Sequence, residues 1–239
     1  MASEQLYVRR LGAWRAVAYV GIALIALAIV LVARAATVGP AAPGAAEKDS
    51  QRNAGHAATV GQAAPTFTGK DSQGKTESLE QYRGKYVVLE WTNRTCPFTK
   101  KHYDSGNMQA LQQQWTGKGV VWLTVLSSSP SHTEDGYLTA PEENAYIEQV
   151  HAHPTAALLD PNGEIGRLYS AKTTPHMFVI DPQGKLIYAG AIDDKPTTDM
   201  ADVKDAKNYV SSALSQAMAG RQVQVASTRP YGCSVKYGE

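Results

Sequence analysis

An excess of charge of either sign is the first thing this sequence lacks. Its 23 Lys and Arg residues against 22 Asp and Glu leave a formal net charge of +1 over 239 residues, so nothing marks it out for nucleic acid or another polyanion. Cysteine is nearly missing too, with Cys96 and Cys233 the two examples. Two thiols and scattered histidines supply too few ligands for a metal centre. No internal repeat, Gly-rich loop or partnered carboxylates point to a solenoid, a nucleotide site or a cation site. The chain is therefore read as carrying neither metal nor cofactor.

Charge is absent altogether from Ala16 to Ala33, where Leu, Ile, Val and Ala dominate. Those 18 residues span about 27 Å as a helix, near the thickness of a bilayer core. Arg9, Arg10 and Arg15 precede the run and Arg34 follows it, a bias that leaves the N-terminus in the cytoplasm and the rest of the chain outside. Ala33-Arg34-Ala35 also has the small-x-small form of a signal-peptidase site. The stretch is long for a signal peptide, however, and Arg34 sits inside the cleavage motif, which favours an uncleaved anchor. Cleavage near Ala35 would instead secrete the domain. Residues 36–58, rich in Ala, Gly and Pro, then polar, read as a linker. The organisation is thus 1–35 anchor or signal segment, 36–58 flexible linker, and 59–239 one domain ending in a tail.

Within 59–239, strand and helix signals alternate. Lys85–Trp91, Val120–Leu126 and Ala156–Leu159 read as strands. Met177–Ile180 and Lys185–Ala189 form a hairpin around Asp181-Pro182-Gln183-Gly184. Met108, Leu111 and Trp115 repeat at helical spacing, and Thr139 with Glu142 makes a capping box. The last helix is expected to carry Val203, Ala206, Val210, Ala213, Leu214 and Ala217 on one face, with Gly220 ending it. This order implies a three-layer α/β/α sandwich with a mixed central sheet, preceded by the N-terminal hydrophobic helix.

Cys96 carries the chemistry. It follows an apolar strand and stands immediately before Pro97, a residue favoured at the first position of a helix, so Cys96 is the expected cap. Unpaired N–H groups and the positive end of the helix dipole favour the thiolate there. The polar flanks (Asn93, Arg94, Thr95, then Lys100, Lys101) suggest an exposed, electropositive site rather than a buried structural cysteine. Cys233 lies in a tail, Ser227-Thr228-Arg229-Pro230-Tyr231-Gly232-Cys233. Flanked by Gly and Pro, that tail is expected to move. A resolving cysteine, a structural staple and an unpaired thiol all remain open for Cys233. His102 falls too far round the helix to share the face of Cys96 reliably, His176 is a candidate neighbour of the thiol, and Asp193-Asp194 are expected to begin a solvated loop.

With strand, Cys-Pro helix, hairpin and final helix in place, the domain resembles the thioredoxin-fold superfamily, and within it the redoxin or AhpC/TSA branch. Asn93-Arg94-Thr95-Cys96-Pro97-Phe98 and Gly232-Cys233-Ser234-Val235-Lys236 are similar to a peroxiredoxin-like subgroup with an Asn-x-x-Cys-Pro-Phe centre and a Gly-Cys-x-Val/Ile-Lys ending. The resemblance implies a cis Thr174-Pro175 loop beside Cys96, with Cys96, Cys233 and Pro175 as catalytic residues. Thr174, Trp91, Pro97 and Phe98 would contact substrate. The departures are specific. Thr99 stands where Cys-x-x-Cys would place a second thiol. Asn93 occupies the position of the peroxiredoxin hydroxyl residue, with Thr92 one step further back. Leu89 replaces the peroxiredoxin proline and Pro175 its arginine.

The sequence thus leads to an exported, membrane-tethered thiol redox protein with Cys96 as nucleophile, acting on protein thiols and disulfides. The alternatives are a peroxiredoxin-like peroxidase acting on hydroperoxides, with Cys233 resolving, and a non-catalytic binding or assembly protein on the same fold.

Overall fold

Three largely apolar runs build the centre of the molecule, because a strand that packs helices on both faces is buried along its whole length; Glu90, Thr124 and His176 are the polar residues among them. In chain order the strands are β1 (Thr68–Asp71), β2 (Thr76–Ser78), β3 (Val87–Trp91), β4 (Val121–Leu126), β5 (Ala156–Leu159), β6 (Thr173–Thr174), β7 (His176–Ile180), β8 (Leu186–Gly190) and β9 (Cys233–Ser234). The helices are α1 (Pro97–Asp104), α2 (Asn107–Thr116), α3 (Ala140–Gln149), α4 (Glu164–Leu168) and α5 (Tyr209–Met218). Every residue of β3, β4 and β7 is buried. This computed structural model describes residues 57–239. The expected membrane segment, Ala16 to Ala33, and most of the linker lie outside them. Among the described residues no helix is long and apolar enough to cross a membrane.

Seven strands form one sheet in the order β2-β1-β5-β4-β3-β7-β8. The β3–β4 and β4–β5 pairs are parallel and the other four antiparallel, so the sheet is mixed, as expected. Alternation along the strands splits the core in two. Leu89, Trp91, Leu123, Val125 and Phe178 pack with Ile165 and Tyr169 on one face. Val88, Trp122, Met177 and Val179 face the other, under Met108, Leu111 and Trp115 of α2 and Val210 and Leu214 of α5. Removing each large apolar side chain from water contributes roughly 1.5–3 kcal/mol. The capping box at α3 is present, with Thr139 N–H donating to Glu142 Oε2 at 2.8 Å.

The structure departs from the sequence reading in two elements. The last helix begins at Tyr209, where Asn208 caps it by accepting from Ser211 N–H at 2.8 Å. Val203 lies instead in a separate 3₁₀ helix, Met200–Asp205, capped by Asp199. Asp and Asn side chains offer the backbone local hydrogen bonds that compete with a continuous helix. The tail is the second departure, because it is hydrogen-bonded to the rest of the domain at several points along its length. Thr228 N–H donates to Ala189 O at 3.1 Å, Val235 N–H to Lys172 O at 3.1 Å and Ser129 N–H to Lys236 O at 2.8 Å. Tyr237 Oη donates to Ala171 O at 2.9 Å and Arg167 Nη2 to Gly238 O at 2.7 Å. The tail is a strap whose backbone finds partners along its length, which its polar sequence concealed.

Candidate active site

The loop entering α1 is shaped by Asn93. Its Oδ1 accepts from Thr95 N–H and Thr95 Oγ1, both at 2.8 Å, and its Nδ2 donates to Asp135 O at 2.6 Å. Cys96 N–H then donates to Asn93 O at 3.1 Å, closing a turn. Cys96 has the extended backbone of an N-cap (φ −70°, ψ 121°) and Pro97 opens the helix. The thiol reaches no helix N–H at full hydrogen-bond geometry, although the Thr99 N–H is near enough to favour its thiolate. It donates to Thr174 O at 2.9 Å across the sheet end.

Thr174-Pro175 is the cis peptide bond of the described residues. It separates β6 from β7, and β6 pairs antiparallel with β9 in the register Thr174↔Cys233 and Thr173↔Ser234. That pairing brings Cys233 against Cys96. Both are free thiols, close enough that each changes the other's ionisation. Gly232, at φ +131°, makes the approach possible, because a Cβ there would collide with the Thr174 carbonyl.

Cys96 is 2% exposed, which corrects the expectation of an exposed, electropositive thiol. Burial is the largest influence on it and opposes ionisation. The side chains of Cys233 and Thr174 and the backbone N–H groups of Thr99 and Cys233 act the other way, and the net displacement is downward. Cys233 moves oppositely. Burial and the neighbouring Cys96 push its thiol up to about 12. The pair is polarised, with Cys96 the better thiolate.

Two lysines expected to assist are elsewhere. Lys100 is exposed. Lys101 is buried, with Nζ donating to Lys195 O at 2.6 Å and lying 3.9 Å from Asp193 Oδ2. Asp193, expected in a solvated loop, is 2% exposed and accepts from Tyr231 Oη. His102 Nε2 lies 3.4 Å from Tyr231 Oη and 3.8 Å from Asp193, and burial lowers its pKa to about 4, so the ring is neutral. Tyr231 also meets Phe98 edge-on, with centroids 5.8 Å apart. Together these residues fasten the strap to α1 two positions before Cys233. Sequence reasoning missed this cluster, although an isolated tyrosine in a Gly- and Pro-flanked tail was a signal.

The other expected site residues divide: Thr174, Pro175 and Pro97 lie at the thiols, and Trp91 does not. Trp91 is fully buried, donates to Ser127 Oγ at 3.0 Å and packs on Tyr169 and Phe178. It is core, because an inward position on a central strand has no access to substrate. Pro97 is exposed, Phe98 half-buried and Thr174 and Pro175 buried. His176 faces Lys172, whose N–H it accepts at 3.2 Å, and stacks on Phe178. Thr92, near the peroxiredoxin hydroxyl position, has a buried Oγ1 with no hydrogen-bond partner. Among the described residues no cluster of His, Cys, Asp and Glu could hold a metal ion.

Residues 60–189, just over half the chain, match the model of the AhpC/TSA family. The chain belongs to the AhpC/TSA family. This redoxin is similar in structure to an uncharacterized conserved protein from Geobacillus kaustophilus (TM-score 0.64, 22% identity, covering 75% of this chain and 93% of that one). A hypothetical protein from Sinorhizobium meliloti 1021 is similar to the same degree (TM-score 0.64, 19% identity, 77% and 97% covered). A thioredoxin domain of a thiol-disulfide oxidoreductase from Bacteroides vulgatus aligns over a smaller part (TM-score 0.42, 24% identity, 55% and 87% covered). No curated protein matches. The redoxin has a thioredoxin-like α/β fold with a mixed sheet.

Proposed function

We propose that this redoxin is a thiol-disulfide oxidoreductase whose working unit is the Cys96–Cys233 pair, with Cys96 the reactive sulfur and Cys233 its resolving partner. The observation that carries the reading is the β6–β9 pairing, which delivers Cys233 to a buried thiol already biased toward its thiolate. A Cys96 oxidised to sulfenic acid would condense with Cys233, forming the disulfide and releasing water, before reaching the irreversible sulfinic state. Because Thr99 removes the local partner of a Cys-x-x-Cys centre, Cys233 is the sulfur left for this role. Pro175 and Thr174 hold the geometry, and Phe98 steadies the strap. The domain would work outside the cytoplasm, tethered through residues 16–33 or released by cleavage near Ala35, where its partners are protein thiols and disulfides.

The test is peptide mapping of the full chain after mild diamide treatment. A Cys96–Cys233 peptide is expected; adducts with other chains and sulfinic Cys96 without it would remove the reading. A second reading, reduction of hydroperoxides, is favoured by one observation. A thiol 2% exposed admits a small oxidant more readily than a protein disulfide. Stoichiometric hydrogen peroxide oxidising Cys96 far faster than a free thiol would select it.

A further inference from the structure

We infer that the cavity between the strap and the start of α5 binds an extended peptide segment of a protein partner. The inference rests on the proposed function for the partner being a protein, and adds what that protein presents. The cavity measures about 600 Å³, a size typical of ligand sites. Pro196, Tyr209, Pro230 and Tyr231 form its apolar walls, and Arg229 and Asp194 supply charge. Thr173 and Gly232 also line it. They are the chain neighbours of Thr174 and Cys233, so the cavity adjoins the thiols.

What is left unpaired on these walls defines the occupant. Between its attachments at Thr228 and Cys233 the strap has a bare stretch of backbone. The N–H groups of Arg229, Tyr231 and Gly232 make no hydrogen bond among the described residues. Such groups are a template for a further extended chain. Arg229 is exposed and has no acidic partner among the described residues. Tyr209 Oη makes no hydrogen bond among them either, while its ring is set by Tyr188, stacked at 6.3 Å, and by Lys207 Nζ, 6.0 Å from its centroid. Asp194 accepts from Lys207 N–H at 2.9 Å through Oδ1 and keeps its other oxygen. The neighbouring Asp193 is buried and already engaged by Tyr231 and Lys101. The complementary segment therefore carries an acidic side chain for Arg229, a basic one for Asp194 and an apolar one for the tyrosine and proline walls. Its backbone bonds to the strap. Neither an apolar small molecule nor a polyanion uses all of these groups.

The experiment titrates the full chain, isotopically labelled, with short blocked peptides that hold no cysteine. These are Gly-Asp-Phe-Lys-Gly, the reversed order Gly-Lys-Phe-Asp-Gly, and both with Ser in place of Phe. At least one Phe peptide is expected to bind with a dissociation constant of about 1 mM or tighter, moving the amide resonances of Arg229, Tyr231 and Gly232. Ser in place of Phe should weaken binding about tenfold, through the loss of a buried aromatic ring. Arg229→Glu should weaken it about fivefold, and Lys in place of the peptide's Asp should restore it. Arg229 is exposed, so this variant leaves the core intact. Absence of binding by both Phe peptides, shifts confined to other parts of the chain, equal binding of the Ser peptides, or indifference to Arg229→Glu overturns the inference. Because the probes hold no cysteine, those outcomes leave the proposed function standing. Failure to find the Cys96–Cys233 peptide after diamide removes the proposed function instead, so the two failures are distinguishable.

Discussion

The two cysteines of this chain are held by opposite means. Cys96 is positioned by the framework: a fully buried strand runs into an Asn93 turn, and a proline opens the helix beneath the thiol. Cys233 is positioned by a strap with little apolar core of its own, fixed through backbone hydrogen bonds, two tyrosines and one glycine. Hydrophobic burial, which is non-directional and large, builds the first. Local hydrogen bonds, each worth about 1 kcal/mol net, build the second. Stability should therefore reside in the framework, and control of thiol chemistry in the strap.

The largest blow to that division would come from the framework side. Trp91→Ala is expected to cost about 3–5 kcal/mol, the range for large-to-small changes in a packed core, measured by denaturant unfolding. A near-neutral result would return Trp91 to the substrate site. Glu143 comes next. Buried beside Glu90, its carboxyl is pushed up to about 8 by desolvation first and Glu90 second, and its Oε2 has no hydrogen-bond partner. A raised folded pKa means the native state holds the proton longer, so stability is fully present below about pH 4.5 and is lost as pH rises through about 8. Glu143→Gln should gain about 2 kcal/mol at pH 8.5 and almost nothing at pH 4.5, with the alkylation rate of Cys96 unchanged. An equal gain at both pH values would show that its charge is irrelevant.

Strap substitutions should do the reverse. Gly232→Ala places a methyl against the Thr174 carbonyl at φ +131°, and should lift the strap and speed alkylation of Cys96 about tenfold, with a small change in melting temperature. If alkylation stays slow, the strap is not what covers the thiol. Tyr231→Phe removes the hydroxyl bonded to Asp193 while keeping the ring against Phe98. It should raise the same rate about threefold, in line with one hydrogen bond. A change in global stability without a change in that rate would make Tyr231 an ordinary packing residue.

The sequence revealed what depends on local chemistry. Strand boundaries fell within two residues because β-rich runs bounded by turn residues are self-announcing. Cys96-Pro97 identified its own helix cap, whereas the Thr174-Pro175 loop came from the resemblance to the thioredoxin fold and not from the dipeptide itself. The same reasoning failed wherever a polar residue was buried by a distant partner. Asp193, Lys101 and His102 form contacts with one another and with Tyr231 across a long separation in the chain, and no periodicity records such a meeting. The strap was misread for the same reason, since backbone pairing to a sheet edge needs no apolar signature. Cys96 was expected in the open because its neighbours are polar. Thr174 and Cys233, both far along the chain, lie against it.

If Cys96 is the reactive sulfur, as proposed, the β6–β9 pairing would also bear on a kinetic competition. Once Cys96 is oxidised, two fates compete: capture by a thiol, or a second oxidation. A reacting group held in the correct orientation can have an effective concentration on the order of 10⁵ M or more, which no dissolved thiol approaches. On the proposed reading, two residues of antiparallel pairing would give Cys233 that advantage. The margin by which internal capture outruns a second oxidant depends on how much of the time the strap stays closed.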